Sequence, residues 1–366
     1  MESNEPIRRT LAIVARVFCL SAFAFALRSH LAKGFRMFEA KSGLRNIATT
    51  ITAVSLSALL VLGTGVGAVH AANQTPQLPA TVSYLKTAFS DADIQNRMTT
   101  GFALESFIQL AGAGVTAAGL SPAIRNEFTL SNRIFGSSLK PGYLVDPSTQ
   151  VLKPGLAGKF LYASKVLKAR NSSFQKAVVD ALADQIAADG AVAASKGNAQ
   201  DIAWVVLGLR AHGDLAAARR VATALLKLQH TDGGFNYDPT LTVGGTDVTA
   251  ISIQALKAVP LSNKAGSLKR NAVVAKAVAF LKAATVGGNH FEAWGDVDPN
   301  GTAYAIMGLQ AAGQNTATYV AWLRSHLQSD GGIEAPWALG VGDRYVTAQG
   351  YLPLIGKTYV SLLAGK

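Results

Sequence analysis

The residues of this chain with the clearest chemical potential lie in one short phrase, Asp296-Val297-Asp298-Pro299-Asn300-Gly301-Thr302-Ala303. Two carboxylates two residues apart, just ahead of an apolar run, suit acid–base work or anchoring of a polar ligand. The same types also suit a helix start, where a short oxygen-bearing side chain accepts backbone N–H groups. Asp201, Asp247, Asn300 and Asp343 each stand at or near the start of an apolar run, with Trp204, Tyr304 and Tyr345 close by. Carboxylates and amides beside aromatic rings are the lining expected of a site for sugars or amphipathic molecules. Capping and negative charge beside a helix's positive end explain the same residues structurally. Asp298 is the one candidate for a catalytic acid.

Other chemistries find no support. After residue 71 the chain has four histidines, His212, His230, His290 and His326, and none has metal-ligand spacing. No metal and no cofactor is expected. No Gly-x-Ser-x-Gly elbow, phosphate loop or dinucleotide fingerprint occurs. Basic residues form no run with interleaved aromatics, so nucleic acid is not an expected partner.

These residues need a scaffold, and a repeated phrase supplies it. Leu228-Gln229-His230-Thr231-Asp232-Gly233-Gly234-Phe235 returns as Leu327-Gln328-Ser329-Asp330-Gly331-Gly332-Ile333. Six apolar segments end at Leu110, Leu167, Leu209, Leu256, Leu309 and Leu354, with gaps of 57, 42, 47, 53 and 45 residues. That is one period of roughly fifty residues, repeated. Segments such as 203–209 and 303–309 are apolar nearly all round, as buried helices are. Segments around Tyr84, Leu225, Phe280 and Trp322 carry charges on the opposite face. The expectation is an all-α fold, an (α/α)6 toroid of six helix hairpins with buried inner and amphipathic outer helices, over residues 81–366. No strand is expected. The Asp-Gly-Gly turns are read as structural: Gly closes a helix in the left-handed conformation, and Asp bonds the following backbone. Gln229 and Gln328 are expected to tie loops across units.

The Gln-x-x-Asp-Gly-Gly-Phe phrase and the six-fold pairing resemble the prenyltransferase and squalene-cyclase repeat, over about residues 80–360. The resemblance implies a scaffold shared by terpene cyclases, protein prenyltransferases, complement thioester domains and transcobalamins. Class II cyclases protonate an alkene with the middle Asp of Asp-x-Asp-Asp at an inner-helix start. Counted back from Thr302-Ala303, Asn300 takes the acid's place here; a shifted gap would bring Asp298 to it. The prenyltransferase zinc site and the complement thioester both need Cys, and the chain's one Cys is Cys19. The resemblance is to secreted bacterial members of this superfamily. The expected function is therefore binding of a glycan, an isoprenoid or other amphipathic molecule, or a cell-wall polymer at the inner-helix rim. The alternative is a terpene-cyclase-like or glycan-active enzyme.

Residues 1–72 are read as leader and signal peptide, and 73–80 as linker. The apolar run from Ile47, preceded by Lys41 and Arg45, ends in Val69-His70-Ala71-Ala72, a small-x-small cleavage site. Met37 would give a signal of ordinary length. An extracellular monomer is expected, touching membrane only through an uncleaved leader. Loss of the eight Lys/Arg and three Asp/Glu of residues 1–71 lowers the formal charge from +12 to +7.

Overall fold

The computed structural model describes residues 78–365, apart from 130–133, 136–137, 140–142, 171 and 262. The leader and signal peptide lie outside the described residues. The chain divides into two units, 1–73 and 74–366. All that follows concerns the second.

The second unit is mostly helical. The helices are α1 (Leu78–Ala88), α2 (Asp91–Gln95), α3 (Thr100–Gly112), α4 (Pro122–Glu127), α5 (Pro154–Val166), α6 (Ser173–Ala183) and α7 (Ala199–His212). They continue with α8 (Leu215–Leu225), α9 (Thr246–Ala258), α10 (Lys264–Ala283), α11 (Pro299–Ala311), α12 (Ala317–Ser325), α13 (Arg344–Leu354) and α14 (Tyr359–Leu363). The first helix begins inside the stretch read as linker.

Helices α3, α5, α7, α9, α11 and α13 are buried on nearly every side, as their largely apolar sequences require. In α11, Pro299 and every residue from Gly301 to Leu309 are buried. In the neighbouring α12 only Leu323 is. Each of the six packs on the next in chain order, and α13 packs on α3. The succession of neighbours thus returns to its first member. Where α5 and α7 touch, a side-chain carbon on Gly158 would lie 2.3 Å from the Trp204 carbonyl oxygen. One on Gly208 would lie 2.4 Å from that of Gly158. Only glycine permits so close an approach of two backbones.

Among the described residues, three short antiparallel hairpins replace the expected absence of strands. These are β1–β2 (Ile134–Phe135, Ser138–Leu139), β3–β4 (Glu292–Ala293, Asp296–Val297) and β5–β6 (Ile333–Ala335, Ala338–Asp343). The last two lead directly into α11 and α13. Pairings of two to six residues are too short to leave an alternating pattern in sequence.

The repeated turn has one construction. Asp232 Oδ1 accepts from Gly234 N at 2.8 Å and its Oδ2 from Gly244 N at 2.8 Å. Asp330 does the same with Gly332 N at 2.8 Å and Gly342 N at 3.0 Å. Gly233 and Gly331 sit at φ +91° and +90°, where a side chain is strained. The next residue donates its N–H to a threonine in the following inner helix: Phe235 to Thr249 at 2.9 Å, Ile333 to Thr347 at 2.8 Å. Phe291 makes the equivalent bond to Thr302 at 3.0 Å without the Asp-Gly-Gly phrase. Gln229 reaches across to the Val273 carbonyl at 2.8 Å. Gln328 does not; its amide meets only the nearby His326 carbonyl, at 3.4 Å.

The chain continues past α13, the last of these buried helices. The short α14 follows, and its Tyr359 is fully buried against Tyr162, Trp204 and Tyr304, which come from three different inner helices. Tyr359 N donates to Gln254 Oε1 at 2.9 Å, and Tyr162 OH donates to the Tyr359 carbonyl at 2.7 Å. Contact with three inner helices places this ring in the interior between them. Among the described residues, no helix is long and apolar enough to cross a membrane.

Candidate functional site

A cavity of about 580 Å³ opens where the inner helices begin. Thr99 precedes α3, while Gln200, Asp247, Asn300 and Tyr345 lie in the first turns of α7, α9, α11 and α13, and all five line it. Five inner helices therefore present their N-terminal ends to one opening. Phe102, Asp298, Trp337 and Gln349 complete its walls, with Met98 and Gly301.

The repeat register orders the lining. Gln200, Asp247, Asn300 and Tyr345 occupy equivalent positions. One helical turn deeper, four residues on, stand Trp204, Ile251, Tyr304 and Gln349, and Glu105 is their equivalent in α3. Side chains four apart share a face, so the second set lies beneath the first.

The deeper set forms a polar floor around Glu105, which is 1% exposed. Glu105 Oε1 accepts from Tyr304 OH at 2.8 Å and pairs with Lys159; its Oε2 accepts from Gln349 Nε2 at 2.5 Å. Gln349 Oε1 in turn accepts from Asn300 Nδ2 at 2.6 Å, linking floor to opening. The Lys159 ammonium lies 4.8 Å from the Trp204 ring centroid, a cation–π contact. Every strong acceptor of the buried carboxylate is used, as a buried charge requires. Sequence reading missed Glu105 and Lys159. The available signal was a charge within an apolar helix, Glu105 alone in α3 and Lys159 beside Lys165 in α5.

Several expected site residues stand elsewhere. Trp204 and Tyr304, each 2% exposed, are core and floor rather than ligand-facing walls. Asp296 is exposed on β4, where its carboxylate accepts from Val297 N. Asp201 lines a separate pocket with Asp146, Lys153, Lys196 and Gln185. It does not cap α7. Asn198 does, accepting from Asp201 N at 3.1 Å, because the helix begins two residues before Asp201. Asn300 likewise yields the cap of α11 to Asp298, which accepts from Gly301 N at 2.9 Å. Of the other aromatics, Phe291 is buried, while Tyr237 and Trp294 are exposed on loops outside the cavity.

Asp343 both caps and positions. Its Oδ1 accepts from Tyr345 N and Val346 N at 2.8 and 2.9 Å, and its Oδ2 from Trp337 Nε1 at 3.0 Å. Trp337 is 68% exposed yet tethered, with its indole held at the cavity edge. Tyr345 is fixed by an edge-on contact with Phe102 at 4.9 Å and by the Arg344 guanidinium donating to its hydroxyl at 2.9 Å.

Asp247 and Asp298 face the same opening, and burial raises the pKa of both. Backbone N–H donors oppose the shift in each case, and the Asp247 charge adds to it at Asp298. Burial outweighs the favourable positive helix ends. Among the described residues, no cluster of three or more His, Cys, Asp or Glu is arranged to hold a metal ion.

No protein-family profile matches the chain, and no curated protein matches it. Among solved structures it is similar to an arginine-to-alanine variant of the type II terpene cyclase MstE from Scytonema, in complex with its substrate geranylgeranyl dihydroxybenzoate. The TM-score is 0.54 at 13% identity, covering 78% of this chain and 97% of that one. At that identity the likeness is one of fold: the chain has a mostly helical, terpene-cyclase-like architecture.

Proposed function

We propose that this protein is an (α/α)6 toroid that binds a glycan in the opening between its inner-helix N-termini. The observation that carries the reading is the contrast between opening and floor. The opening offers carboxylates, amides and a tethered exposed indole: Asp247, Asp298, Gln200, Asn300 and Trp337. Hydroxyl-rich rings need such a mixture, hydrogen-bonding groups at the edges and an aromatic face beneath. Below it the axis is closed by the Glu105–Lys159–Tyr304–Gln349 network and the aromatic packing on Tyr359. A long apolar chain entering there would strip hydrogen bonds from a buried ion pair.

The test is a glycan array probed with residues 72–366, followed by calorimetry on any hit. The expectation is a saturable carbohydrate ligand lost in Trp337→Ala and weakened in Asp247→Asn. No carbohydrate binding would remove the reading.

A second reading has its own observation. Asp298 stands at the start of an inner helix, with its carboxyl held towards the neutral form by burial, as a proton donor to an alkene needs. The fold-level likeness to a terpene cyclase agrees with this. Against it, Asp298 is engaged as a helix cap, and Asn300 offers no acidic proton. The order of Lys41, Arg45, the apolar run and Val69-His70-Ala71 supports export of the chain.

A further inference from the structure

We propose a second, anion-binding site at the opposite end of the inner helices, taking phosphate groups. A pocket of about 640 Å³ lies where the chain leaves α3 and α5. Three cations line it, Arg125, Lys168 and Arg170, with the hydroxyl-bearing Thr129, Ser172 and Ser173. Among the described residues, no carboxylate lines the pocket. The three cations are exposed, and among the described residues none of them forms an ion pair.

Three like charges around one concavity repel each other, and nothing in the pocket offsets that repulsion. An oxyanion would. Lys168 adds a further sign. It ends α5 at φ +53°, with its N–H donating to the Lys165 carbonyl at 3.0 Å. The left-handed region disfavours a side chain, and glycine stands there just beyond four of the other inner helices. A lysine kept at this position brings its ammonium to the pocket. The first turn of α6 begins at Ser173 on the same wall, and first-turn N–H groups point out of a helix end. Guanidinium forks, an ammonium, hydroxyls and amides together match a tetrahedral, multiply charged oxyanion better than a planar carboxylate. This site is separate from the opening that the glycan reading uses and does not depend on it.

The test is calorimetric titration of residues 72–366 with inorganic phosphate and with short-chain polyphosphate, at low and moderate salt. The expectation is saturable binding that weakens as salt rises. Arg125→Glu with Arg170→Glu should reduce affinity by about tenfold or more. Lys264→Glu with Lys269→Glu, on exposed positions of α10, makes the same charge change and should leave affinity within about twofold. Thermal melts establish that both variants fold, and Arg125→Gln with Arg170→Gln serves if the reversal does not. Tighter polyphosphate binding assigns the site to a phosphodiester or polyphosphate chain; equal binding assigns it to a single phosphate. Absence of saturable binding, or equal loss in the two double variants, overturns the proposal.

Discussion

The Tyr304 hydroxyl donates to Glu105 Oε1 at 2.8 Å across 199 residues of sequence, joining α3 to α11. Lys159 from α5 and Gln349 from α13 meet the same carboxylate. Four inner helices are thus bound to one buried charge, which turns a set of apolar contacts into a fixed register.

This arrangement makes the network's removal asymmetric. Glu105→Gln leaves the Lys159 ammonium without its counter-charge, and the expected loss is about 3–5 kcal/mol. Glu105→Gln combined with Lys159→Met should recover much of that loss, since no buried charge is then unpaired. Urea denaturation of the two variants measures both. Equal stability of the single and double variants would mean the pair is not coupled.

Asp232 and Asp330 are turn residues. Each carboxylate accepts two backbone N–H groups, and Asp232→Ala or Asp330→Ala should lower stability by about 1 kcal/mol or somewhat more. Ligand affinity should not change. Calorimetric melting reads the first, titration the second.

Three buried carboxyls make stability depend on pH in a definite direction. Asp201, Asp247 and Asp298 have pKa values raised by burial, so the folded chain holds their protons more tightly than the unfolded one. Their contribution is fully present below the ordinary Asp value and is lost as pH rises through the raised values. Asp93, Asp238 and Asp146, the last held at about 2 by bonds from Ser148 and Thr149, act oppositely and only at lower pH. In the window just above the ordinary Asp range, unfolding free energy should therefore fall with rising pH. Asp247→Asn should flatten that slope. An unchanged slope in denaturation curves of this variant would show the carboxyl to be unshifted.

Export is tested at the N-terminus. Sequencing of secreted protein should find cleavage after Ala71 or one residue to either side. A chain retained in the membrane with its leader intact would contradict this.

The fold was more legible than the site, for a physical reason. Buried and amphipathic helices differ in their apolar periodicity, so the alternation around Leu209, Leu225, Leu309 and Trp322 could be read directly. The turn chemistry of Asp232 was equally local. Glu105 was not legible, because its partners lie on α5, α11 and α13 and a single charge in an apolar helix does not name them. Tyr359 was missed because five helical residues carry no period. Asp201 and Asn300 were misread as caps because a shift of two or three residues in a helix start moves the cap to Asn198 or Asp298.

Cyclase chemistry has its own check. Incubation of the mature chain with squalene and with linear polyprenyl diphosphates is expected to return the substrates unchanged. Cyclised product that disappears in Asp298→Asn would make Asp298 the acid and the opening an active site.

The central claim is that the opening holds a carbohydrate above a closed axis. Native mass spectrometry of protein purified from its own secretion medium tests it most directly. The account predicts a co-purifying carbohydrate mass, present in the wild type and absent from Trp337→Ala. An isoprenoid mass retained in Trp337→Ala would contradict it, because that molecule would have to lie in the axis that Glu105 and Tyr359 fill.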